Sequence, residues 1–282
     1  MAEWLTWALD LDVGQRAAYA ALLDAFPAVT GGNDRLRYTL WLSLAHTAPF
    51  VALNLLYQAL GMLFPSAIER YRFQPNKHAP RDLVLHCIKH VLVGHALTPL
   101  GVYLFFPLHH ARYPGMMATD GVPGLGTFAW QLLVCVVSVD FLFYWSHRAL
   151  HEVPGLYKRF HKQHHEFKVT VGWAAEYAHP VEHLLGNTVP VIFAPVFFRF
   201  HFSVFATWLA IAIVGTVAAH SGIWYPAAEA AWHDFHHSHN VGNYGHTSLW
   251  DRIFGTNKAW EAHLKRHPYF TASPTEKGPA RQ

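Results

Sequence analysis

Apolar and polar positions divide this chain into long blocks rather than short alternations. Thr39 to Phe64 is an apolar run, close to the ~20 residues that span a bilayer. Leu83 to Phe106 is a second run, holding His86, His90 and His95, and Leu125 to Trp145 is a third, broken only by Gln131 and Asp140. A polar, histidine-rich block follows from Ser146 to His183. Leu184 to Ala219 is apolar again, and 220–282 is mostly polar and again rich in histidine. As one straight helix, the stretch 184–219 would measure ~54 Å, against a bilayer core of ~30 Å. Two short helices turning near Arg199-Phe200-His201 fit better. Residues 1–38 read as a short amphipathic helix and a Gly31-Gly32-Asn33-Asp34 turn.

The pattern predicts an all-α, polytopic integral membrane helical bundle. It has about four to five spans, including a helical hairpin, under a cytosolic histidine-rich cap. Four blocks are expected: 1–38, an N-terminal amphipathic segment; 39–124, the first two spans and their loops; 125–257, the histidine-bearing domain; and 258–282, a polar tail. No internal repeat of fixed period appears.

Composition supports a membrane location. The 282 residues are 52% hydrophobic and 14% charged, where soluble domains carry roughly 25% charged residues. A net charge of +3 with no concentrated basic patch argues against a nucleic-acid partner. Cys87 and Cys135 lie inside apolar segments, so no disulfide framework is expected. The acidic opening MAEWLTWALDLD lacks the basic n-region of a cleavable signal. Loop 65–82 carries Arg70, Arg72, Lys77 and Arg81, while loop 107–124 carries only Arg112. Cytosolic loops are the basic ones, so loop 65–82 and the histidine blocks should share the cytosolic side.

The 23 histidines are the outlier. His147-Arg-Ala-Leu-His151 is HxxxH, and i and i+4 share a helix face. No Pro or Gly interrupts from Gln131 to Val153, so the third span should run past the membrane and present both rings before Pro154-Gly155 stops it. Asp140 falls on that same face, where an acid is costly without a partner. A hydrogen bond to a ligand histidine is one role open to it. His161-Lys-Gln-His164-His165 and His233-Asp-Phe-His236-His237 are both HxxHH. His179 begins a further HxxxH ending at His183, and His220 follows the hairpin. Lys158, Arg159, Lys162 and Lys168 crowd the first HxxHH, disfavouring protonated imidazole; neutral imidazole is the metal-binding form.

The three main boxes hold eight rings, too many for one ion. Two metals with four or five imidazoles each match the count and leave positions open. Imidazole also suits zinc, copper and nickel. Iron follows from the substrate: an apolar membrane molecule offers few bonds to hydrolyse and many C–H bonds to oxidise. His86 and His90 read as a helix-packing pair, with a haem between spans as the alternative. His46, His78, His109, His110, His201, His263 and His267 read as solvated or interfacial.

The segments HHEF, AEYAHP, HSG and HDFHH…GNY…LWDRIFGT resemble the fatty acid hydroxylase/sterol desaturase superfamily of all-histidine di-iron membrane enzymes. Between the boxes they are most similar to the C-4 methylsterol oxidases. The firm likeness covers about 131–256. It implies metal ligands His147, His151, His161, His164, His165, His233, His236 and His237, with His179 and His220 as further ligands. It implies two irons, with electrons from NAD(P)H through cytochrome b5 or a reductase. The implied reaction is O2-dependent oxidation of a sterol C-4 methyl to alcohol, aldehyde and carboxylate, passed on to later C-4 demethylation enzymes. The alternatives are a sterol C-5 desaturase, a fatty-acid or sphingoid hydroxylase, or, in another class, a non-catalytic membrane metal or haem protein. Asn243 reads either as holding a metal-bound water or as a turn residue. Trp250-Asp251-Arg252 reads as an internal pair fixing the last box. Arg159, Lys162 and Lys168 would meet cytochrome b5 or anionic lipid. The implied location is the endoplasmic reticulum with the site facing the cytosol, or the inner membrane of a bacterium.

Overall fold

The computed structural model describes residues 2–24, 27–223 and 229–267. Its helices are α1 (Ala2–Asp24), α2 (Pro27–Thr30), α3 (Asp34–Leu63), α4 (Pro65–Tyr71), α5 (Arg81–Arg112), α6 (Leu125–Glu152), α7 (Pro180–Glu182), α8 (Val189–Phe197), α9 (Phe202–Ala219), α10 (Glu229–His239), α11 (Leu249–Phe254) and α12 (Lys258–Arg266). Among the described residues there is no strand, and one isolated bridge pairs Arg72 with Ile223.

The protein is a polytopic membrane helical protein. Helices α3, α5, α6 and α9 are long and apolar enough to cross a bilayer. Their outward faces carry the reason: Leu55, Val93, Leu104, Trp130 and Val137 are all more than half exposed, which in water would be a large apolar patch and in lipid is the favoured surface. Pro49 in α3 and Pro99 and Pro107 in α5 are tolerated inside these helices.

The hairpin expected over 184–219 is present as α8 and α9. Arg199 takes a left-handed turn conformation at φ 58, and the Trp208 indole donates to the Val191 carbonyl at 2.9 Å across the two arms. α8 continues α7 and the π turn His183–Thr188 without a break, as one helical arm from residue 180 to 197. Among the described residues four helices are long and apolar enough to cross a bilayer.

The chain divides into two compact units. The first comprises 1–48, 95–139 and 191–211; the second comprises 49–94, 140–190 and 212–282. The four long helices each contribute residues to both units. In the first unit, Leu23, Tyr38, Leu42, Phe106, Met116 and Phe202 form a buried core. Two histidines read as interfacial are in fact buried there. His109 pairs its Nδ1 with the Tyr38 hydroxyl at 2.9 Å, and His201 lies between Ser203 and the Ala118 carbonyl. Both nitrogens of His201 are thus paired, whereas His109 has a partner on Nδ1 alone and its Nε2 is buried without one.

The second unit holds every histidine box. It has an aromatic cluster of Phe73, Trp232, Phe235 and Trp260. Trp260 belongs to α12, so the first part of the expected polar tail is a packed helix; one indole anchors it against Trp232. Residues 268–282 lie outside the described residues. Cys87 and Cys135 are buried and unbridged.

Candidate metal centre

The last turns of α6 present His147 and His151 side by side, with ring centroids 5.0 Å apart. The helix stops at Glu152, and Gly155 takes a positive φ of 85 that non-glycine residues seldom adopt. The chain then enters a π turn, Tyr157–His161, and a short 3-10 turn, His164–Glu166. The π form is rare and concentrates at functional sites; here it delivers His161. The last box lies on α10.

The boxes interleave. His147, His151, His161, His165 and His236 form one group; His164, His220, His233 and His237 form another, and each group could hold a metal ion. In both HxxHH boxes the i and i+4 rings serve one group and the i+3 ring serves the other. His161 and His165 meet at 3.0 Å between Nε2 atoms, and His233 and His237 at 3.1 Å. His164 instead meets His220 at 3.3 Å, and His236 meets His165 at 3.1 Å.

The proton positions explain why these nitrogens crowd together. His147 Nδ1 donates to the Tyr244 carbonyl at 2.8 Å, His236 Nδ1 to Gly242 at 2.6 Å, and His237 Nδ1 to Phe167 at 3.0 Å. His220 Nδ1 donates to Thr216 at 2.8 Å, His164 Nδ1 to Tyr177 at 3.3 Å, and His161 Nδ1 to the Glu182 carboxylate at 2.7 Å. A neutral imidazole has one proton. With that proton committed outward, Nε2 offers only a lone pair. Facing lone pairs repel, so His147–His161 at 3.1 Å and His164–His220 at 3.3 Å need a cation between them. Two nitrogens ~2.1 Å from one ion stand ~3.0 Å apart at a right angle and ~3.4 Å apart at a tetrahedral angle. The observed 2.9–3.3 Å fits a shared ion, so the residues present suit the metals the sequence implied.

Burial keeps the rings neutral. It holds His164 down at about 4 and His220 at about 3, and neighbouring rings add to the effect at His220. The same cause holds His161, His165, His233, His236 and His237 well below the ordinary imidazole range. Neutral donors leave room for cationic charge that a carboxylate cage would cancel.

Other expectations fall differently. His179 is in neither group: its Nδ1 accepts from Val181 N and caps α7, because Pro180 begins a helix immediately after it. Asp140 does not reach a ligand ring. Both its oxygens accept from Thr247, one from the backbone N–H and one from the hydroxyl, each at 2.8 Å. It thereby pins the loop whose Tyr244 carbonyl orients His147. Asp251 works on the same loop, accepting from the N–H groups of Tyr244 and Gly245 at 2.9 and 2.7 Å; it pairs with backbone rather than with Arg252. Asn243 adopts φ 55, a turn conformation, and its Nδ2 donates to the Trp232 carbonyl, while its Oδ1 is buried without a hydrogen-bond partner. Gly242 takes φ 60 with no room for a Cβ against the Thr256 carbonyl. His90 stacks edge-on over Tyr177 and touches the Ala178 carbonyl at 3.3 Å, which is helix packing.

Two carboxylates escaped the sequence reading. Glu182 is buried beside His161, and burial pushes its carboxyl up to about 9; a cation on His161 would pull the other way. Its signal was an acid standing at the start of an apolar run. Asp234, inside the last box, is raised to about 6 by burial and accepts from the Thr170 hydroxyl at 2.9 Å and the Gln74 amide at 3.0 Å, tying α10 to two loops. Beside the rings lies a cleft lined by Phe143, Leu150, Ala175, Glu182 and Asn187 together with histidines of both groups.

A protein-family model described as fatty acid hydroxylase matches residues 132–256. That segment contains all nine clustered rings, and curated relatives extend the match beyond it. The chain is 33% identical over 214 residues to methylsterol monooxygenase 1 of Danio rerio, covering 71% of this chain and 72% of that protein. The chain belongs to the fatty acid hydroxylase family. It is also 36% identical over 204 residues to the fatty acid hydroxylase ahd1 of Mycosarcoma maydis, across 70% of this chain. A very-long-chain aldehyde decarbonylase, GL1-8 of Oryza sativa, is 32% identical over 222 residues, 73% of this chain and 78% of its own length. The chain spans only about half of ahd1, 52%. No solved structure matches.

Proposed function

We propose that this family member is an oxidoreductase that uses two irons and dioxygen to oxidise the C-4 methyl group of a sterol intermediate. The observation that carries it is the pair of groups, five and four imidazoles, with every assigned proton turned outward. His147, His151, His161, His165 and His236 would hold one iron, and His164, His220, His233 and His237 the other. When bound, iron supplies activation of dioxygen for attack on an unactivated C–H bond. The protein holds the neutral rings in place, keeps water from most of them, and orients His161 through Glu182. Phe143, Leu150 and Ala175 are the apolar part of the small cleft beside the rings.

The choice of a sterol methyl rests on the similarity to methylsterol monooxygenase 1 and on the AEYAHP and LWDRIFGT segments. Electrons would come from NAD(P)H through cytochrome b5 or a reductase, meeting the exposed Arg159, Lys162 and Lys168. The carboxylate product would pass to later C-4 demethylation enzymes. The basic loop 65–82 supports a site facing the cytosol, in the endoplasmic reticulum or in a bacterial inner membrane. A second reading, oxidation of another lipid on the same scaffold, is favoured by the relatives named for fatty acid hydroxylation and aldehyde decarbonylation.

The test incubates membranes containing the protein with a 4,4-dimethylsterol, oxygen, NADPH, cytochrome b5 and its reductase. A product heavier by one oxygen, or the C-4 carboxylate, supports the sterol reading. No sterol product with active redox partners refutes it, and fatty acids and sphingoid bases then test the second.

A further inference from the structure

The loop that aims two of the clustered rings reaches down toward the bilayer. Asp140 holds the backbone N–H and the hydroxyl of Thr247, and it stands seven residues before His147 on α6, ~10 Å along the axis. His246 lies against α9, where a Cβ on Gly215 would meet its ring at 3.8 Å. Gly215 precedes His220 by five residues, ~7.5 Å. About 20 residues cross a bilayer core, and counted from Leu125, the start of α6, they end near Tyr144. Thr247, level with Asp140, therefore sits inside that boundary. Irregular backbone is tolerated at such a depth only where protein satisfies it. Asp251 does so by taking the N–H groups of Tyr244 and Gly245, both buried.

From there α11 returns along α6. Trp250 packs on Phe141 and Phe254 on Trp145, each pair with ring centroids 5.0 Å apart. At about 100° per residue, Leu249, Trp250, Ile253 and Phe254 fall within about 140° of the helix, and Asp251 and Arg252 take the rest. Among the described residues nothing covers that apolar side: Leu249 and Ile253 are more than half exposed and Phe254 nearly half. On α6 the exposed Leu133, Val137, Phe141 and Trp145 follow one another at steps of four, the lipid-facing stripe of the span. The open face of α11 continues that stripe at its upper edge, the level at which tryptophan is favoured.

We infer that α11 is seated in the acyl chains of the adjacent leaflet through Leu249, Ile253 and Phe254, and that this seat steadies the loop whose Tyr244 and Gly242 carbonyls take the protons of His147 and His236. The bilayer is then a structural partner of the five-histidine group. An apolar helix face set ~5–10 Å into the headgroup boundary binds in proportion to the area it buries. The seat follows from the membrane fold alone, while the steadying rests on the two-metal reading above.

The experiment uses the full chain in phosphatidylcholine nanodiscs, with and without doxyl-labelled phosphatidylcholine as quencher. A bimane fluorophore is attached through Ile253→Cys, through Val137→Cys in the span, and through Lys158→Cys on the exposed cap. The wild type, whose Cys87 and Cys135 are buried, gives the blank. Quenching at position 253 should lie closer to that at 137 than to that at 158. Quenching closer to that at 158 overturns the seat, whether water or another protein covers the face. The steadying is read as iron release to a chelator. Ile253→Asp should release one of its two irons about tenfold faster than Ile253→Leu, and the other at the same rate. If Ile253→Asp does not accumulate in membranes, Ile253→Thr, which keeps the branched shape, replaces it. Equal release from the polar and apolar variants overturns the steadying. A wild type that never holds two ions removes the steadying together with the two-metal reading, and the quenching still decides the seat.

Discussion

Replacing Glu182 by leucine separates the metal's demands from the fold's. The carboxylate is 4% exposed and accepts from His161 Nδ1 at 2.7 Å. In the loaded site that contact fixes the ring's tautomer and raises its basicity; losing such a partner typically costs about 10–100-fold in metal affinity, or ~1.4–2.8 kcal/mol. The metal-free protein should respond differently. There the carboxyl, pushed up to about 9 by burial, is protonated at neutral pH, and leucine removes a buried polar group. His161 can move its proton to Nε2 and donate to His151 at 2.9 Å, so its Nδ1 loses little. Glu182→Leu should therefore bind iron at the five-histidine group about 10–100-fold more weakly, while the metal-free melting temperature stays level or rises. Chelator competition followed by metal analysis reads the first, and differential scanning fluorimetry with and without iron reads the second. Two ions held as tightly as in the wild type would refute the role given to Glu182. A drop of the metal-free melting temperature would refute the account of its burial.

His164→Ala should cut iron stoichiometry from two per chain toward one, because His164 is the ring that the first HxxHH box would contribute to the proposed four-histidine site; metal analysis of the purified protein reads it. Asp251→Ala leaves the N–H groups of Tyr244 and Gly245 unpaired, at ~1–3 kcal/mol each, and should lower the melting temperature by several degrees. Lowering the pH should destabilise the metal-free protein. The folded rings of His161, His164, His165, His220 and the α10 box sit below the free value of 6.5, so below that value the unfolded chain binds more protons. The raised carboxyls of Glu182 and Asp234 act the opposite way, so stability should decline gently above about 6.5 as Glu182 loses its proton toward pH 9, and fall more steeply toward pH 4, where the rings outnumber the two carboxyls, by up to ~1.4 kcal/mol per unit for each such ring. Iron, which binds the neutral rings, should move that loss to lower pH; thermal melts across the range check both.

The long blocks of apolar residues made the fold legible before any coordinates. A lipid-facing helix must satisfy its backbone internally and needs a minimum length, so hydropathy alone locates α3, α5, α6 and α9. The 36-residue run had to fold back because it exceeds the bilayer. The boxes were legible for the same local reason: i and i+4 rings share a face, and eight imidazoles in three boxes exceed what one ion takes.

What needed three dimensions was the sorting. Nothing local tells that His164 and His236 cross to the group opposite their own box, or that His220 completes the four-nitrogen group while His179 caps a helix. Those outcomes depend on a π turn before His161 and on carbonyls from loops far away in the chain, at Tyr244, Gly242 and Phe167. Asp140 was read along its own helix, toward His147, when its partner is Thr247, 107 residues on. Spacing along one helix determines which rings can share an ion. Which ion they share is settled by long-range packing, since the partner of each Nδ1 proton decides where the lone pair on Nε2 points.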